Sequence, residues 1–192
     1  MKILIPITIA SKSYAVKKML KDYWDKTSDN PEGIDYAYHN FGDRGSTSVE
    51  SAAIGGVSHL TQFKGTDNFN CLTTTDILGK SVVASEHSTV SSWSRENEFA
   101  FYENFIKVFK DEYLISCVMD TYDVYKAVDF VTYGKMKTKI ESDDYPIFVI
   151  RPDSGNPVYV IDKILSIMDD NGVQFSTNSK GYKVFNKYRI IW

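Results

Sequence analysis

Two continuous apolar runs, residues 113–119 (YLISCVM) and 146–151 (PIFVIR), constrain this chain more than anything else in it. Each reads as a buried strand, because a strand covered on both faces shows an unbroken apolar run instead of an alternation. Such strands belong to parallel sheets with helices laid over them. The flanking residues agree. Val124, Val128 and Val131 repeat at helical spacing after the first run, and Val158, Ile161, Ile164, Leu165 and Met168 do so after the second, closed by Asn171-Gly172.

The same alternation is expected along the rest of the chain. Strands are predicted at residues 3–9, 35–41 and 81–85, a short extended piece at 62–67, and a last buried strand at 188–192. Helices are predicted through Val16, Met19, Leu20, Tyr23 and Trp24 with Ser13 as cap, then over 48–61 and 72–78. A further helix starting near Ser91 carries the stripe Phe101, Phe105, Val108 and Phe109. The polar turn Asn178-Ser179-Lys180-Gly181 separates two short extended pieces. These strand–helix units define an α/β fold, and they fall short of the eight that close a barrel. The expectation is one piece, residues 1–192, of a larger barrel-like protein.

Composition narrows the function classes. A hydrophobic share of 43% supports a real core, and a net charge of −3 with scattered basic residues argues against general nucleic-acid or membrane-surface binding. Cys71 and Cys117 have neither metal-ligand spacing nor a disulfide framework, and read as small buried hydrophobes of a reducing compartment. Residues 1–10 superficially resemble a signal core, but they contain Pro6 and no small-residue cleavage pattern. Nothing reaches transmembrane length, so a cytoplasmic protein is expected.

In parallel α/β folds, chemistry gathers where strands end and helices begin. Five such junctions are polar here. The first is His39-Asn40-Phe41-Gly42-Asp43-Arg44-Gly45, followed by Thr47-x-x-Glu50, which has capping-box spacing. A capped helix start beside glycines and an arginine suits an anion such as phosphate. The others are residues 63–67 (FKGTD), 85–89 (SEHST), 119–123 (MDTYD) and 150–157 (IRPDSGNP). Singly, each has an ordinary explanation: Asp67, Asp120 and Asp153 as helix caps, His87 as a structural histidine, Arg44 and Arg151 as surface charges. Five in succession point to a site. His59, inside a helical pattern, reads as structural, and Lys64 stays open.

At these residues the sequence resembles the nicotinamide phosphoribosyltransferase family. HNFGDRG (39–45), QFKGTD (62–67), SEHST (85–89), DTYD (120–123), RPDSGNP (151–157) and NSKGY (178–182) match its motifs in order and spacing. The resemblance implies a partial (β/α) barrel of the type II phosphoribosyltransferase kind, incomplete at both ends. It implies phosphoribosyl transfer from phosphoribosyl pyrophosphate to nicotinamide, giving nicotinamide mononucleotide and pyrophosphate. Phe41 would stack on the pyridine ring, Asp67 would accept from the carboxamide NH₂, and Ser116 and Arg151 would lie near the base, Arg151 also reaching phosphate. His39 and Arg44 would approach phosphate groups. Asp120 and Asp153 would hold ribose hydroxyls or Mg²⁺. His87, preceded by Glu86, would be the histidine phosphorylated by ATP. A homodimer is implied for the complete protein.

A carboxylate at Asp67 favours the amide substrate, since it accepts from NH₂ and repels the carboxylate of nicotinate. Nicotinate phosphoribosyltransferase is the second enzymatic reading, and a non-catalytic split-gene fragment the alternative from another class. Three departures from the family pattern stand out. Asp43 takes the place of the usual aromatic residue and adds negative charge beside a phosphate site. The amino-terminal region that would sandwich the ring is missing, and so is the segment expected after Trp192. The isolated chain is therefore expected to be inactive.

Overall fold

The computed structural model describes residues 4–73 and 79–192, without the side chains of residues 72 and 73. Two compact units emerge: one comprises the chain through Ser81 together with Thr177–Tyr182, the other Val82–Ser176 with Lys183–Trp192.

The first unit is built on two helices, α1 (Leu4–Thr27) and α2 (Val49–Leu60). Residues 4–9 are thus helical, not a strand. A short apolar run does not by itself distinguish the two. Ile9, Ser13 and Lys17 stand four apart on the helix face turned toward the rest of this unit. Ile9 reaches Gly55, Ser13 lies 3.5 Å from His59 Nδ1, and Lys17 Nζ donates to Asp35 at 2.8 Å and to the Gln62 carbonyl at 2.5 Å. Ser13 is therefore a buried contact in mid-helix and not a cap, while Met19 and Tyr23 face solvent. α2 presents small residues inward. A Cβ on Gly56 would come within 2.8 Å of Cys71 and 2.7 Å of Asn68, whose amide donates to the Ala52 carbonyl.

The predicted strand at 35–41 does not form. Asn30 accepts from the N–H groups of Glu32 and Gly33, and Pro31 opens a 3-10 helix over Pro31–Tyr36. What remains is a single parallel bridge, Asn40 to Thr66, with a second from Gly65 to Lys80. Of the predicted helix at 72–78, residues 72 and 73 end a 3-10 turn (Phe69–Thr73), and the remainder lies outside the described residues. The tip of the hairpin at 178–182 anchors to the C-terminus of α1. Asn178 donates to the Thr27 carbonyl, and Lys180 Nζ donates to the carbonyls of Asp25 and Ser28, as suits a cation at a helix C-terminus.

The second unit holds a four-stranded, all-parallel sheet in the order β1 (Val83–Ala84), β2 (Leu114–Val118), β3 (Ile147–Arg151) and β6 (Tyr188–Ile190). The register sets Ser116 opposite Ala84 and Val149, and Val118 opposite Arg151. Between β1 and β2 come α3 (His87–Ser91) and α4 (Glu98–Val108); between β2 and β3, α5 (Val124–Thr132) and α6 (Gly134–Ile140). After β3 come α7 (Pro157–Asp170) and the strand pair β4 (Phe175–Thr177) with β5 (Lys183–Phe185). The apolar runs at 113–119 and 146–151 are the central strands, β2 and β3. Ile115, Cys117, Val118 and Ile150 are wholly buried against Tyr102, Val128, Ile164 and Tyr188. On α4 the inward residues are Phe101, Tyr102, Phe105 and Ile106, while Val108 is exposed. The α/β class with a parallel sheet is the observed one. Among the described residues, no helix is long and apolar enough to cross a membrane.

Candidate active site

Within the second unit, three junctions meet because β1, β2 and β3 are adjacent and parallel, so their carboxyl ends share one edge. Ser85, Glu86 and His87 follow β1, Met119 and Asp120 follow β2, and Pro152 and Asp153 follow β3. Arg151 is buried, and its Nη2 donates to the Ser85 carbonyl at 2.8 Å and to Glu86 Oε1 at 3.0 Å. That pairing ties the end of β3 to the start of α3. The Ser85 hydroxyl strengthens the same edge by accepting from the Val118 N–H at 3.0 Å.

His87 stands at the centre of this edge. Its Nε2 lies 3.3 Å from Asp153 Oδ2 and 3.8 Å from Asp120 Oδ1, and its Nδ1 lies 3.1 Å from the Thr121 hydroxyl. Ionised carboxylates only accept, so Nε2 carries the proton toward them and the Nδ1 lone pair of the neutral ring faces Thr121. Asp120 is the least exposed of the group, with 4% of its side chain accessible. Its Oδ2 accepts from the Asp153 N–H at 2.9 Å and the Ser154 hydroxyl at 2.6 Å, while Oδ1 is buried without a hydrogen-bond partner. Neither Asp120 nor Asp153 is a helix cap. Those places are taken by Asp123 on α5, whose carboxyl its backbone N–H donors hold below the usual range, and Asn156 on α7. Ser116 is buried within β2, and its neighbour Cys117 is a buried thiol pushed up to about 12 by desolvation.

The first unit has a polar corner of its own. The bridge at Asn40 and Thr66, with the Asp67 N–H donating to the Asn40 carbonyl at 2.9 Å, sets two short segments side by side. His39 Nε2 thereby comes within 3.3 Å of Asp67 Oδ1, which also accepts from the Ser81 hydroxyl. The His39 ring lies 4.9 Å from that of Phe41, tilted by 42°. Arg44 is exposed in the 3-10 turn Asp43–Gly45, and Asp43 accepts from Asn70 at 2.7 Å. The cap of α2 is Ser48, accepting from the Ser51 N–H, one position beyond the predicted Thr47; the Thr47 hydroxyl instead contacts that of Ser51. His59 is structural as read: buried, with Nε2 donating to the Gly65 carbonyl at 3.0 Å. Lys64 pairs with Asp35 at 2.8 Å.

The sequence reading had no role for Ser81, Ser85, Thr121 or Ser154. Each is a hydroxyl beside a charged or backbone partner distant in the chain, and no local spacing marks such a residue.

A parallel α/β sheet with carboxylates, an imidazole and an arginine at adjacent strand ends is an arrangement suited to phosphorylated or hydroxylated ligands. Residues 36–189 match the model of the nicotinate phosphoribosyltransferase (NAPRTase) family, and the chain belongs to that family. It is 38% identical over its whole length to the nicotinamide phosphoribosyltransferase of Xanthomonas campestris, covering 42% of that protein. It is 30% identical to the enzyme of the same name from Acinetobacter baylyi over 80% of this chain and 33% of the relative. The Mycoplasma genitalium protein of that name is also 30% identical, over 94% of this chain and 41% of the relative. The chain thus spans less than half the length of each of these relatives.

Proposed function

We propose that this chain supplies part of the catalytic domain of a nicotinamide phosphoribosyltransferase, a cytoplasmic homodimer built on a type II (β/α) barrel that works in NAD salvage. The observation that carries this reading is Asp67: a carboxylate held by His39 and Ser81, in the same corner as the exposed Phe41 ring. Phe41 offers its face to a pyridine ring, and Asp67 accepts from a carboxamide NH₂. The same carboxylate repels nicotinate, which places nicotinate phosphoribosyl transfer second.

In the reaction the pyridine nitrogen attacks the anomeric carbon of phosphoribosyl pyrophosphate with its own lone pair. The new bond is nitrogen to carbon, the bond to the pyrophosphate oxygen breaks, and no proton needs to move. Asp120 and Asp153 face the ribose hydroxyls, and Arg44 and Arg151 serve phosphate groups, with Ser116 and Arg151 beside the base. Among the described residues, no group of three or more acidic, histidine or cysteine side chains is arranged to hold a metal. Mg²⁺ characteristically takes one or two carboxylates and completes its shell with substrate phosphates and water. The buried, unpartnered Asp120 Oδ1 and the nearby Asp153 fit that demand. Bound there, Mg²⁺ would neutralise charge on the leaving pyrophosphate. His87, with Nε2 toward the two carboxylates and Nδ1 against the Thr121 hydroxyl, is the imidazole we assign to phosphorylation by ATP.

The test is product formation from nicotinamide and phosphoribosyl pyrophosphate by the chain as it stands and extended to the length of its relatives. Nicotinamide mononucleotide from the extended protein, with nicotinate used poorly, is the expected result. Nicotinate mononucleotide as the main product, or no transfer by the extended protein, would overturn the reading.

A further inference from the structure

Asp67 does not stand alone in its corner, and its partners suggest a division of labour. Oδ1 faces both the His39 Nε2, at 3.3 Å, and the Ser81 hydroxyl. Side-chain exposure is 28% at Asp67 and 14% at His39, so the carboxylate is the more accessible of the two. The His39 ring is itself seated by its surroundings. It lies against Phe41 on one side, and on the other it occupies the space a Cβ on residue 65 would need, since that atom would come within 2.4 Å of Nδ1. Gly65 is in turn held by its carbonyl, which accepts from the Asn40 N–H at 3.1 Å and from His59 Nε2 at 3.0 Å.

We infer that His39 and Ser81 are positioning residues: they fix the rotation of the Asp67 carboxylate, keep it an acceptor, and so set the preference for an amide over an acid. The inference rests on the proposed function and deepens it. The physical reason is directional. A free carboxylate rotates about its Cβ–Cγ bond, whereas the Ser81 hydroxyl donating to Oδ1 and the His39 ring set against the same oxygen hold its plane and keep it facing the ligand as an acceptor. The resemblance assigns His39 to phosphate; the geometry turns its Nε2 to Asp67 instead. Neither residue needs to touch the ligand.

The experiment uses the 192-residue chain. Titrations with nicotinamide, nicotinate and phosphoribosyl pyrophosphate are compared for wild type, His39→Phe, Ser81→Ala and Ser81→Thr. His39→Phe keeps the ring against Phe41 but removes the N–H. Loss of one donor to a charged acceptor should weaken nicotinamide about tenfold. The amide-over-acid ratio should fall by the same factor with phosphoribosyl pyrophosphate binding unchanged, and Ser81→Thr should restore the wild-type value. Equal loss of nicotinamide and phosphoribosyl pyrophosphate, or no loss at all, overturns the inference. Ring-nitrogen NMR of the ligand-free chain separates the two claims. The His39 Nε2 signal should be that of a protonated nitrogen and should move in Asp67→Asn. An unmoved signal defeats the positioning role whatever the ligand data. If the wild-type chain binds neither base, the titrations are made on the protein extended to the length of its relatives; failure there counts against the proposed function, and the ring signal then decides the inference.

Discussion

Acidification should destabilise the first unit through one residue, His59. Its ring is 2% exposed, stacked on Phe63 at 5.4 Å and tilted against Tyr38 at 5.6 Å. Burial pushes its pKa below the ordinary 6.5; the hydrogen bond to the Gly65 carbonyl opposes that, and nearby His39 adds to it. The folded value is therefore the depressed one. Above 6.5 both folded and unfolded chains hold a neutral ring, and stability does not depend on this group. Below it the unfolded chain takes up a proton that the folded chain refuses, so stability falls until pH reaches the folded value. Between 6.5 and the folded value the loss is at most about 1.4 kcal/mol per pH unit. At a urea dependence of about 2 kcal/mol per molar, each such unit lowers the unfolding midpoint by up to about 0.7 M. Urea unfolding at pH 8, 6.5 and 5 checks it against His59→Gln, whose own cost is the same at every pH. The wild-type midpoint should fall toward the variant's as pH drops below 6.5. Parallel curves would refute the argument, because other groups, such as Glu98 with its raised carboxyl, titrate alike in both proteins.

Two further expectations test the packing. Gly65→Ala should cost about 1–3 kcal/mol, since its Cβ meets the His39 ring and that ring must leave Asp67; an unchanged thermal midpoint with an unchanged His39 ring spectrum would contradict it. Tyr102→Phe should also cost about 1–3 kcal/mol, because the buried Tyr102 hydroxyl donates to buried Glu98 at 2.8 Å and its loss strips that carboxyl of a donor. Denaturant melts measure the second directly, and a neutral result would show that Glu98 finds another donor.

Elements whose pattern admits one physical solution were legible in the sequence. The runs at 113–119 and 146–151, each followed by a helical period, read as doubly covered strands, and they became β2 and β3 to within a residue at either end. The helix after Asn156-Pro157 was equally plain, with its cap, its apolar stripe and its Asn171-Gly172 stop. The amino-terminal third was less so. Residues 3–9 are apolar enough for a strand, yet the contacts of Ile9 and Ser13 with α2 favour a helix. At 35–41 the β-like Tyr-rich run lost to a local signal, the Asn30 cap followed by Pro31.

The candidate site divides along the same line. Sequence alone determined which chemical groups are available. In the second unit the strand ends of a parallel sheet collect the polar residues that follow each apolar run, among them His87, Asp120, Arg151 and Asp153; in the first unit Phe41 and Asp67 are legible from their motifs, although no strand forms at 35–41. Only the tertiary structure decided who faces whom. It turned His39 to Asp67, placed Arg151 against Glu86, and left one oxygen of Asp120 buried and unpartnered. Hydrogen bonds are short-ranged and directional, so a partner distant in the chain leaves no periodic trace. Burial patterns repeat along a sequence, whereas pairings across strands exist only once the strands have met.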